Sequence, residues 1–269
     1  TRKNIFPMIL LGAGLVGLLS CNKCDSAVDP LSQNADPDAP QLIAFTAEGD
    51  LETAVETKVS AVTSLSSFYV GATKGSAGSE TSVWNSATFS GSSSFTGGKY
   101  WPSSDQSYHF YASNAALTFA AAGTTVAPDG STDVVVAYLA SPTYKSSNAL
   151  TFGHVYARVG TVSISAAAGS LSNVSATLKN VATGGTYNLR TGAWTAGTKS
   201  DKTLTVGSND LYVVPGTYTL SVTYTITNGD YSATFTKSGS VTLQQGKVNS
   251  ISATAPNTST GITFTVSVT

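Results

Sequence analysis

From residue 41 onward the chain alternates apolar and polar side chains with a period of two. That is the pattern of strands that bury one face and wet the other. The alternation predicts strands over 41–47, 65–72, 82–89, 99–101, 108–112 and 133–140 in a first block. A second block begins near residue 150. There 152–166 alternates through Val155, Ala157 and Val159 and continues in Val162 and Ile164 past Gly160, where a bulge is expected. Further strands are predicted over 174–180, 185–189, 202–206, 211–214, 217–227, 231–236, 238–243, 249–255 and 262–268. Asn228-Gly229 marks a tight hairpin between two of them. No stretch carries the three-to-four spacing of an amphipathic helix. The expected fold class is all-β, with a first β-sandwich over 41–150 and a second over 151–269.

The start of the chain follows a different pattern. Arg2 and Lys3 precede an apolar run over 5–19, which ends in Leu18-Leu19-Ser20-Cys21. A basic start, an apolar centre and a small residue at the cut define a secretory signal over 1–20, shorter than a membrane span. The ending looks like a lipobox, in which Cys21 takes a diacylglycerol and the chain is cut before it. Residues 21–40 are polar and hold Pro30, Pro37 and Pro40, as in a flexible tether. Cys24 has no partner left in the chain, so the folded part holds no disulfide. The expectation is a bacterial lipoprotein delivered to a membrane.

Composition narrows the chemistry. Charged residues make up 11% and the formal net charge is −1. A nucleic-acid partner would need a basic face, so none is expected. His109 and His154 are the only histidines. Neither stands with an acid or nucleophile in a recognisable catalytic pattern, and no Gly-x-Ser-x-Gly elbow exists. No His or Cys cluster suits zinc, and Asp25, Asp29, Asp36 and Asp38 do not follow a calcium-loop spacing. No enzyme activity, cofactor or metal is expected. Trp84, Tyr100, Trp101, Tyr108, Phe110 and Tyr111 could form a glycan platform, but most of them read as core of the first block.

Three segments carry a resemblance. Lys99-Tyr100-Trp101-Pro102 is followed by Tyr108-His109-Phe110-Tyr111-Ala112. Leu150-Thr151-Phe152-Gly153-His154 runs into Val155-Tyr156-Ala157-Arg158-Val159. Leu211-Tyr212-Val213-Val214-Pro215-Gly216 precedes Val222-Thr223-Tyr224. In this order, behind a lipobox, the chain resembles the fimbrillin family, the lipoprotein-derived subunits of type V pili. The resemblance implies two transthyretin-like β-sandwich domains in tandem and a place on the cell surface, in a pilus. It implies proteolytic loss of the first strand, 41–47, with Leu42, Ile43 and Phe45 as its plugs. Cleavage would follow Lys58, where the family more often has Arg. A neighbour's terminal strand would then fill the groove, here 262–268 with Ile262, Phe264, Val266 and Val268. The implied partners are identical subunits, anchor and tip pilins, and a maturation protease. The alternative is a monomeric, surface-anchored lipoprotein that binds a glycan or a host protein.

Overall fold

The first half of the chain folds into a sheet that closes on itself. Its staves are β1 (Leu42–Gly49), β2 (Ser67–Lys74), β3 (Thr81–Gly91), β4 (Phe95–Tyr100) and β5 (Tyr108–Ser113). A two-residue β6 (Thr125–Val126) lies apart, and β7 (Val135–Leu139) and β8 (Asn148–His154) complete the barrel. The order around it is β1-β4-β3-β2-β5-β7-β8, and β8 returns to β1. Every neighbouring pair is antiparallel except β1 with β8, which run parallel. The computed structural model describes residues 40–49, 64–103, 107–120, 123–257 and 261–269.

Alternation explains what fills the barrel. Ile43, Phe45, Phe68, Val70, Phe89, Phe95, Phe110, Leu150 and Phe152 point inward as one apolar cluster. Phe68 packs its ring edge-on to Phe152 at 5.1 Å, a favoured aromatic arrangement. Trp101, Tyr108, Phe110 and Tyr111 are buried, Tyr108 and Phe110 in the barrel core and Tyr111 in a second cluster, and Tyr100 alone of the six aromatics is largely exposed.

The second half is a sandwich of two four-stranded sheets. Its strands are β9 (Ala157–Ala166), β10 (Ser170–Ala182), β11 (Gly185–Asn188), β12 (Trp194–Ala196), β13 (Lys199–Leu204) and β14 (Gly207–Val213). After them come β15 (Gly216–Asn228), β16 (Tyr231–Leu243), β17 (Val248–Ala255) and β18 (Phe264–Val268). One sheet runs β13-β10-β15-β16 and the other β14-β9-β17-β18. Leu178, Leu220, Val222, Tyr224, Ile226, Val162, Ile251 and Phe264 share the core between them. The outward positions of β15 and β16 are Thr and Ser, and Thr223 bonds Thr236 across the strands at 2.9 Å, as Thr225 does Thr234.

The expected hairpin forms one residue later: Asn228 pairs with Tyr231 and the turn is Gly229-Asp230, with Gly229 at φ +61° where a side chain would be strained. The bulge at Gly160 also forms. Val159 and Val162 of β9 face Asn249 and Ile251 of β17, so three steps oppose two. A Cβ at Gly160 would lie 2.6 Å from Val248, so the bulge brings the strands too close for any other residue.

The two halves are joined by more than the chain. β6, from the first half, pairs with β11, and β11 pairs with β12, in a sheet of order β12-β11-β6. The boundary expected at residue 150 falls inside β8, and only Val155 and Tyr156 separate β8 from β9. Tyr111, Val126, Val155, Tyr156, Tyr187 and Tyr212 pack as one cluster at this seam. Residues 40–269 accordingly form a single compact unit.

Candidate functional site: the barrel-closing strand and the C-terminal tail

β1 is the stave on which closure depends. Its first part pairs with β4 through Leu42↔Tyr100, Ala44↔Thr96 and Phe45↔Phe95, with a shift between Leu42 and Ala44. Its second part pairs with β8 through five positions, from Phe45↔Asn148 to Gly49↔Phe152. Ile43 and Phe45 are fully buried. The Phe45 ring stands 5.3 Å from Phe89 and 5.0 Å from Phe110, nearly perpendicular to the latter. Leu42 differs from its expected role: by alternation it lies on the opposite face of β1 and is only half-buried. Ala47, which the sequence did not single out, packs on the barrel core instead.

Removing β1 would expose two things at once. One is an apolar trough along Phe89, Phe110, Leu150 and Phe152. The other is two rows of unpaired backbone groups, on β4 and on β8. An extended chain with alternate apolar side chains is the complement of both.

The tail is such a chain. Within its own molecule β18 is an edge strand, antiparallel to β17 from Ala253↔Phe264 to Asn249↔Val268. Thr269 and Val248 exchange both backbone bonds beyond it, at 2.9 and 3.1 Å. Ile262 and Phe264 are buried in the second core, Val266 partly so, and Val268 is 37% exposed. Phe264 lies over Gly239 of β16, where a Cβ would stand 2.9 Å from the ring. A glycine at an inward position of an alternating strand is the signal of such a close approach. The barrel plugs and the tail plugs thus sit in different cores and do not meet within one chain. Cys21 and Lys58 lie outside the described residues.

A second polar site lies at the seam. Glu80, at the foot of β3, accepts bonds from Tyr111 (2.6 Å) and Thr73 (3.0 Å). Arg190, from the turn between β11 and β12, places Nη1 3.2 Å from its other oxygen. His109 bonds the carbonyl of Gly75 and the hydroxyl of Tyr138, each at 3.0 Å. His154 lies 2.7 Å from Asp133. Burial, then the Glu80 carboxylate, pushes the Tyr111 phenol far above its ordinary range. Burial with Asp133 and Asp210 pushes Tyr212 up to about 12. These groups tie strands together, and Asp133, His154 and Tyr212 also line a small cavity with Tyr156, Arg158 and Lys247. Among the described residues no cluster of His, Cys, Asp or Glu could hold a metal, and no helix is long and apolar enough to cross a membrane.

Comparison with known proteins gives the family. No curated protein sequence matches the chain. The solved structures that share the fold include a fimbrial protein from Bacteroides vulgatus. It is 14% identical, with a TM-score of 0.55 over 86% of this chain and 99% of that one. A candidate cell adhesion protein from Bacteroides ovatus is also 14% identical, with a TM-score of 0.52 over 85% and 96%. The family model described as fimbrillin-like matches residues 48–269, from the end of β1 through the tail, and the chain belongs to that family.

Proposed function

We propose that the protein is a structural subunit of an adhesive surface pilus. It is exported as a lipoprotein through Cys21, cut after Lys58, and polymerised by donor-strand exchange. Loss of β1 opens the barrel between β4 and β8, and the 262–268 segment of another copy fills the gap. Its partners are copies of itself, anchor and tip pilins, and the maturation protease; the precursor is held at the outer membrane by its lipid.

The observation that carries this reading is the position of β1. It lies at the N-terminal end of the described fold, fully buries Ile43 and Phe45, and alone bridges β4 and β8. A strand at that place can be removed by one cut without touching the rest of the sheet. Membership of the fimbrillin-like family and the shared fold of a fimbrial protein support it. The seam supports a structural role as well, since the buried Glu80–Arg190 pair joins the two halves.

The test is maturation of two variants at the cell surface. The Lys58→Ala chain is expected to remain full-length and unpolymerised. A chain lacking Ile262–Thr269 is expected to fold, to lose β1, and to form no ladder on a gel. Fibres from the truncated chain would overturn the reading. So would native surface material that keeps lipidated Cys21 and stays monomeric, which is the outcome for a surface-anchored binding lipoprotein.

A further inference from the structure

β1 and the tail share more than alternation. Residues 43–47 read Ile-Ala-Phe-Thr-Ala, and residues 262–266 read Ile-Thr-Phe-Thr-Val. Both run in the same chain direction. In each the Ile and the Phe are buried, with Ala44 between them buried as well in β1, and in each a Thr follows the Phe on the other face.

Resting on strand exchange, we infer that the incoming tail takes both the direction and the register of β1. Phe264 enters the place of Phe45 between Phe89 and Phe110. Ile262 takes the place of Ile43, and Val266 that of Ala47. The donor then runs antiparallel to β4 and parallel to β8, reproducing the mixed pairing that β1 makes. Entry in the reverse sense would also seat Phe264. It would place Val266 where Ile43 was and Ile262 where Ala47 was. The first leaves a void in a fully buried site, and the second puts one carbon more than Val266 at the partly buried place of Ala47.

The register assigns a use to Val268. Alternation places it at the position of Gly49, paired with inward-facing Phe152. In its own sandwich Val268 is 37% exposed and Val266 only partly buried. In the groove both face the core, where β1 offers only Ala47 and Gly49. The tail is therefore a fuller plug than the strand it replaces, which gives the exchange its direction.

Cysteine pairs in the full chain test this. The β1 register sets Thr46 opposite Ala149 of β8, so Thr265 of one copy lies opposite Ala149 of the next. At that spacing a disulfide closes. Ala149, Thr263 and Thr265 are all exposed, so the substitutions leave both cores intact. After polymerisation by limited trypsin treatment and mild oxidation, Ala149→Cys with Thr265→Cys is expected to give a covalent ladder. Peptide mapping should find the 149–265 link between copies. Ala149→Cys with Thr263→Cys is expected to give none. A 149–263 ladder overturns the direction, and fibres with neither link overturn the register while leaving strand exchange standing. Matured chains that form no fibres at all overturn both readings.

Discussion

Arg190 Nη1 lies 3.2 Å from Oε1 of Glu80, and the two residues come from opposite halves of the chain. Glu80 has no exposed side-chain surface, and Arg190 is 13% exposed. Removing Arg190 leaves Glu80 its bonds from Tyr111 and Thr73 but takes the counter-charge from a fully buried carboxylate. Arg190→Met is therefore expected to destabilise the subunit by about 3–5 kcal/mol. Urea denaturation would show it as a lower midpoint with an unchanged slope, provided the halves still unfold together. A second, earlier transition would mean that the halves had come apart.

The seam also predicts a response to alkali. The phenol of Tyr212 is buried, has no hydrogen-bond partner and is held up to about 12. In the unfolded chain it titrates near its ordinary value of 10. A group whose folded pKa is the higher one supports the fold fully below its unfolded pKa. That support drains away as pH rises from 10 toward 12. Tyr212→Phe is expected to be near neutral at pH 7, since no bond is lost. Above pH 10 it should spare about 1–3 kcal/mol relative to the parent chain. Thermal melts at pH 7 and pH 11 check both statements.

Under the proposed cleavage, Phe45 belongs to the uncut chain and not to the matured one. In the uncut chain its ring sits among Phe89 and Phe110, and Phe45→Ala is expected to cost about 3–5 kcal/mol. Once β1 has been replaced, the residue is gone and the fibre should not register the change. Melting the uncut variant and then the assembled one distinguishes these cases. Equal damage to both would mean that β1 stays in place.

The tail can be trimmed to the pattern of β1. Val266→Ala with Val268→Gly removes five carbons that the proposed register buries. At about 0.8 kcal/mol per methylene this weakens each joint by up to about 4 kcal/mol. Fibres of the double variant should fall apart in milder heat or denaturant than the parent fibres. Indistinguishable stability would place Val268 outside the groove.

Much of this fold is written in the alternation, and its failures are physical. Strands such as β5 and β15 follow directly from Tyr108-His109-Phe110-Tyr111-Ala112 and from the run between Thr217 and Thr227. β6 and β12 went unseen because strands of two or three residues carry no period to read. The segment 152–166 was expected as one strand, yet it turns at Val155-Tyr156. Val155 is in phase with Ala157 and Val159, and all three are buried, so the period did not mark the corner. Periodicity reports which face of a strand is apolar and not which strand lies beside it. The return of β8 to β1, and with it the closed barrel, was therefore hidden. The pairing of Glu80 with Arg190 is a contact between distant loops and leaves no local trace. Gly239 went unremarked although it carried a signal, since a glycine on the inward side of an alternating strand announces a close neighbour. Lys58 and Cys21 rest on the resemblance and the lipobox alone.

The two-residue link between β8 and β9 sets how a fibre would carry tension. Pull applied through a seated donor enters β8 lengthwise, because the two lie side by side in one sense. It passes Val155 and Tyr156 into β9, crosses the parallel ladder to β17 and leaves by the tail. Hydrogen bonds along that line are loaded in shear, many at a time, and none must open like a zipper. Strain would reach the flanking strands only after this spine had begun to slip.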